Sequence, residues 1–144
     1  MNRMIAVLTT LILVWTNGPL ESAEPGITAP PGFVVEKIFE VPTETMGSWS
    51  ALTCDDRGRL IASDEKNLGL FLITPPKIGD ADAKAVVEKL PVDMEGAHGM
   101  LWAFDSLYVH VQRKGLFRVT DTDQDGRVDS AKLLMANQGG GGHA

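Results

Sequence analysis

Two stretches decide the fold: Gly69-Leu70-Phe71-Leu72-Ile73 and, 46 positions later, Gly115-Leu116-Phe117-Arg118-Val119. Each is a short apolar run with aromatic and branched residues, opened by glycine. That is the composition of a strand entered from a turn. The echo extends to either side. Val87-Glu88-Lys89-Leu90 is matched 44 positions on by Ala131-Lys132-Leu133-Leu134. Ala51-Leu52 before an aspartate-bearing turn is matched by Met100-Leu101 before Asp105-Ser106.

Working outward, strands are expected over Phe33 to Val41, Ser50 to Cys54, Arg59 to Ser63, Gly69 to Thr74 and Val86 to Leu90. Four more follow over Met100 to Phe104, Leu107 to Val111, Leu116 to Thr120 and Lys132 to Met135. Asp55-Asp56-Arg57-Gly58 reads as a turn. Pro75-Pro76 ends its strand because proline donates no ladder hydrogen bond. The helix alternative is Ala81 to Leu90, rich in good helix formers; loop then strand is the preferred reading. A four-strand repeat at this period is what a propeller blade needs, at roughly 40–50 residues each. A plain β-sandwich is the rival.

The expected fold is therefore all-β: an incomplete β-propeller of about two to three four-stranded blades, where closure takes roughly 4–8. Residues 33–144 form this partial propeller domain. The count, with the abrupt end at Gly139-Gly140-Gly141-Gly142-His143-Ala144, predicts a truncated chain, or a ring that a partner completes.

The N-terminus has a different character. Arg3 precedes an almost continuous apolar run from Met4 to Trp15, then Asn17-Gly18-Pro19 and Glu21-Ser22-Ala23. Charge, apolar run and small residues in that order make a secretory signal, so residues 1–23 are expected to be removed on export to the periplasm or the extracellular space. The apolar run is short for a bilayer, which needs about 20 helical residues, and no stable membrane span is expected after cleavage. An uncleaved anchor is the alternative. Residues 24–32, rich in proline and glycine, read as a linker.

Among 144 residues, 13 are Lys or Arg and 19 Asp or Glu, a net charge of −6. That balance, without a basic stripe, argues against a nucleic-acid partner. Cys54 is the lone cysteine, so an internal disulfide and a Cys-x-x-Cys-His haem site are both excluded. On a strand it is expected to be a small buried apolar residue.

The sharpest chemical motif is Asp121-Thr122-Asp123-Gln124-Asp125-Gly126-Arg127-Val128-Asp129. Carboxylates at loop positions 1, 3, 5 and 9 can wrap a hard cation, glycine at 6 permits the sharp turn, and the Arg127 carbonyl would serve position 7. Lys132 stands where an EF-hand carries its bidentate glutamate. Calcium is thus expected at Asp121, Asp123, Asp125, Arg127 and Asp129, in a structural rather than a sensing role. The plainer reading is a solvated acidic turn held by its own hydrogen bonds. His98 and His143 are the acid/base candidates for a propeller-loop site, against ordinary polar roles. His110 is expected to be structural, and Trp49 and Trp102 to be blade core.

Several segments come in a characteristic order: Pro31-Gly32-Phe33-Val34-Val35-Glu36, Gly47-Ser48-Trp49, Gly58-Arg59-Leu60-Ile61-Ala62-Ser63-Asp64 and Ile73-Thr74-Pro75-Pro76. Leu101-Trp102-Ala103-Phe104-Asp105-Ser106-Leu107-Tyr108-Val109 and Gly115-Leu116-Phe117-Arg118 with Asp121-Thr122-Asp123 complete the series. Over residues 31 to 138 this resembles the start of the large secreted dehydrogenase-like proteins of planctomycete type. The resemblance implies a propeller related to the quinoprotein (PQQ) sugar dehydrogenases. The parent would oxidise a sugar or alcohol and pass electrons to a haem acceptor, and HEAT-like repeats and a c-type haem domain often follow. No haem lies in this chain. In such enzymes a propeller-loop histidine is the base. His143 is the nearest counterpart here, but the family's Gly-Glu-His-Gly-Pro-His-Ala-like segment is broken, so the resemblance implies scaffold without turnover. The alternative is a calcium-stabilised extracellular propeller for binding or adhesion.

Overall fold

The computed structural model describes residues 27–33, 35–65, 68–80 and 83–137. The chain divides into two compact units, Met1–Glu36 and Lys37–Ala144. In the first, Pro31-Gly32 makes a turn closed by Phe33 N–H donating to the Pro30 carbonyl at 3.1 Å. The expected signal segment lies outside the described residues.

The second unit is all-β apart from one helical turn, α1 (Thr43–Met46). Its strands are β1 (Trp49–Cys54), β2 (Leu60–Asp64), β3 (Leu70–Thr74), β4 (Val86–Lys89), β5 (Ala97–Ala103), β6 (Ser106–Val111), β7 (Gly115–Thr120) and β8 (Ser130–Ala136). They form two four-stranded antiparallel sheets, ordered β1-β2-β3-β4 and β5-β6-β7-β8. The echoed pentapeptides are the third strand of each sheet.

The equivalence holds in register, except that the first strands match one residue off the sequence echo, so that Leu52 rather than Ala51 is the counterpart of Met100. Leu52, Ala62, Phe71 and Lys89 make one cross-strand row in the first sheet. Met100, Val109, Phe117 and Leu133 make the matching row in the second. Each sheet also carries a bulge at the same place in its first strand, at Ser50 and at His98.

Alternation along β2 and β3 divides their apolar side chains between two faces. Ile61, Leu70 and Leu72 join Leu107, Val109, Val111 and Val119 in the main core between the sheets. The connection from β4 to β5 adds Leu90, Val92 and Met94, and the loop after β7 adds Val128. Each such large side chain contributes about 1.5–3 kcal/mol on burial. A buried hydrogen bond from the Ser63 hydroxyl to the Ala97 carbonyl ties β2 to β5. On the opposite face of the first sheet Ala62, Phe71 and Ile73 form a second buried cluster, with Met46, Trp49, Leu68 and Ala85 packed against it. Trp49 stacks on Phe71 at 5.8 Å and under Phe39 at 5.7 Å.

Three expectations are corrected here. No strand forms among the described residues of 33–41. Alternation makes a segment fit for pairing, but pairing needs a free strand edge; this stretch instead brings Phe39 onto Trp49. Cys54 is exposed, not buried. It ends β1, an edge strand, on the side where Leu52 is also uncovered. His98 lies within β5 rather than in a loop before a strand. Residues 86–89, the heart of the helix alternative, are strand because β3 offers them a ladder from Phe71 to Thr74.

Candidate metal centre

The loop from Asp121 to Asp129 joins β7 to β8. Gln124 and Gly126 both have positive φ, 63° and 91°. These two reversals, two residues apart, turn Asp121, Asp123 and Asp125 toward one point. Their carboxylate oxygens lie within 4.8 Å of one another. Asp121 accepts from Gln124 N–H at 2.7 Å and from Gly126 N–H at 2.8 Å. Asp123 accepts from Asp125 N–H at 3.2 Å, and Asp125 from Arg127 N–H at 2.8 Å. Glycine suits position 126 because its φ of 91° lies where L side chains rarely go.

Arg127 adds charge. Its Nε and Nη2 donate to Asp125 Oδ2 at 2.9 and 2.6 Å, and its Nη1 reaches Glu88 on β4 at 3.6 Å. The guanidinium hydrogen bond holds the Asp125 carboxyl below the usual carboxylate range, and Asp125 in turn raises Arg127. Asp129 does not join the cluster: Thr122 N–H and its hydroxyl donate to the Asp129 carboxylate at 3.1 and 2.8 Å. Three of the four expected carboxylates therefore converge, and the fourth closes the base of the loop. Three hard oxygen donors of like charge around one point suit a hard cation such as calcium.

The loop is also held by the first sheet. Arg59 Nη2 donates to the Gly126 carbonyl at 2.6 Å, while its Nε bonds Asp55 Oδ2 at 2.7 Å. Asp55 further accepts from the backbone N–H groups of Arg57 and Arg59, at 2.9 and 2.8 Å. The Asp55–Arg59 turn is thus a rigid bracket that grips the aspartate loop. The sequence reading saw a turn there and missed the bracket; an arginine one residue past an Asp-x-x-Gly turn was the available signal. Beside this bracket lies a cleft of about 410 Å3, lined by Arg57, Arg59, Trp102, Asp105, Gln124 and Arg127 among others.

The histidines stand elsewhere. His98, exposed at the bulge of β5, is at the opposite end of the sheet from the aspartate loop. His110 is exposed on β6, 3.4 Å from the Asn137 amide nitrogen. His143 lies outside the described residues. Trp49 and Trp102 are both half-buried against the cores, as expected.

These features define an all-β protein of two like four-stranded antiparallel sheets with an acidic loop clamped between them. No protein-family model, curated protein or solved structure matches the chain. Among the described residues no helix is long and apolar enough to cross a membrane.

Proposed function

We propose that the two sheets are consecutive blades of a β-propeller in an exported dehydrogenase-like protein, and that this chain supplies scaffold and a structural calcium site. The observation that carries the reading is the row-by-row equivalence of the two sheets, stacked in one direction. Radial repetition of such meanders is how propellers bury their sheet faces. The signal-like residues 1–23 support a periplasmic or extracellular place, where millimolar calcium fills even weak sites. Asp121, Asp123 and Asp125 would hold the ion with the Arg127 carbonyl. Calcium there would neutralise the three carboxylates and stiffen the loop that Arg59 grips.

The dehydrogenase part rests on the resemblance over residues 31 to 138. A sugar or alcohol substrate, PQQ and a haem acceptor belong on that reading to the wider parent protein, and His98 and His143 remain the candidate bases. The adhesion alternative draws on the cleft beside the aspartate loop. The indole of Trp102 with Arg57, Asp105 and Gln124 offers the stacking and hydrogen-bonding groups that hold carbohydrate.

Titration calorimetry of the chain with Ca²⁺ tests the metal site. Heat is expected from the wild type and none from Asp123→Ala or Asp125→Ala. Arg127→Ala should bind a few-fold tighter, because its guanidinium no longer competes for Asp125 Oδ2. No heat from folded wild type would sink the calcium reading. Dye reduction with added PQQ tests the scaffold reading. No turnover is expected, and PQQ-dependent reduction by the purified chain would place catalysis within it.

A further inference from the structure

We propose that the cleft beside the Asp55–Arg59 turn is a binding site for a sugar acid, a uronate held by its carboxylate at a pair of arginines. This deepens, and rests on, the carbohydrate reading of that cleft given above; it depends on neither the calcium nor the blade reading. A Cβ placed on Gly126 would touch the Arg57 guanidinium and lie 3.7 Å from Arg59 Nη1, so the two guanidinium groups converge on one point of the aspartate loop. Arg59 commits Nε to Asp55 and Nη2 to the Gly126 carbonyl, leaving Nη1 for a ligand. The Arg57 side chain makes no hydrogen bond or ion pair among the described residues. Two cations side by side repel. A carboxylate between them relieves that repulsion and accepts a charge-assisted hydrogen bond from each. The loop carboxylates do not fill this place: Asp121 is taken by the backbone N–H groups of Gln124 and Gly126, and Asp125 by Arg127.

The other lining groups select the kind of anion. At about 410 Å3 the cleft has room for a small ligand. Its floor is the core between the sheets, reached at Ile61, Leu72 and Val128, and the half-buried Trp102 stands beside it. An indole next to an apolar floor takes the C–H face of a pyranose ring. Asp56, Asp105 and Gln124 are exposed at the rim. Ionised aspartates only accept hydrogen bonds and the glutamine amide does both, so the rim calls for a ligand with several hydroxyls. A phosphate or sulfate dianion has no proton to give Asp56 and Asp105. An aliphatic or aromatic carboxylate would leave them and Gln124 without partners. A neutral sugar would leave the arginine pair as it stands. A uronate satisfies the pair, the indole and the rim together.

Titration calorimetry on the full chain in metal-free buffer tests this, with D-galacturonate, D-galactose and acetate as probes. Metal-free buffer keeps uronate from reporting through the aspartate loop. Galacturonate is expected to bind about ten-fold tighter than galactose, the worth of a hydrogen bond to a charged group. Acetate should give no heat. Arg57→Gln should lower galacturonate to the galactose level, with far-UV circular dichroism unchanged because Arg57 is exposed. Trp102→Phe should weaken both sugars. Equal binding of the two sugars overturns the proposal and leaves the carbohydrate reading standing. So does a preference for galacturonate that survives Arg57→Gln. Acetate bound as tightly as galacturonate also overturns it, since the site would then read a bare carboxylate. No heat from either sugar with folded protein overturns both the proposal and the carbohydrate reading.

Discussion

Arg59→Ala is expected to cost about 2–4 kcal/mol of stability, a large share of the roughly 5–15 kcal/mol available to a domain. The reason is what the substitution leaves behind. The Asp55 side chain is 0% exposed, and Arg59 at 19% is its ionic partner. Removing one member of a buried pair strands the other charge, which costs about 3–5 kcal/mol when burial is complete. Here the two backbone donors to Asp55 remain and Arg59 touches solvent, so the figure is discounted. The lost bond to the Gly126 carbonyl adds about 1 kcal/mol. Urea unfolding followed by tryptophan fluorescence measures it. Arg57→Ala, an exposed neighbour in the same turn, should stay within about 0.5 kcal/mol. Equal midpoints for Arg59→Ala and wild type would mean that the bracket is incidental. On the calcium reading proposed above, the same variant should also weaken any Ca²⁺ heat, because the loop loses the group that fixes its Gly126 carbonyl.

Gly115→Ala is expected to be as damaging, by about 3–5 kcal/mol. Gly115 opens β7 at φ 132°, where L side chains rarely go. It faces Ala136 across the ladder, and a Cβ would strike the Met135 carbonyl and come within 2.9 Å of the Ala136 Cα. Backbone strain and backbone collision therefore add, and neither neighbour is a flexible tip that could swing aside. Gly58→Ala separates the two effects. Its φ is 75° and nothing lies within 4 Å of its notional Cβ. It should lose only the conformational part, about 1–2 kcal/mol. Thermal unfolding of the pair gives the difference. A Gly115→Ala loss no larger than that of Gly58→Ala would show that β8 can shift to admit the methyl.

Particular residues mark how far the sequence could be read. The strands on either side of Leu70 and Leu116 were legible because alternation, glycine and proline act within a few residues of themselves. The segment 33–41 looked alike by the same rule, yet its described residues form no strand, since its ladder partner would have to come from elsewhere in the chain. Cys54 misled for a related reason: apolar character does not say which face of a sheet finds a cover. Asp121, Asp123 and Asp125 were legible as a cluster because the spacing of two and the glycine at 126 are local. Asp129 was not, because its partnership with Thr122 depends on how the loop closes.

The repeat seen in Gly69–Ile73 and Gly115–Val119 is thus the sequence's own contribution. It determined an all-β chain, four strands to the repeat and an acidic loop before the last of them, all through short-range rules of pattern and turn. Only the tertiary structure decided that the two sheets stack in one direction with equivalent rows. It alone placed Arg59 on the aspartate loop. Those depend on contacts between residues far apart in the chain, such as the 67-residue separation from Arg59 to Gly126, and no local pattern encodes them.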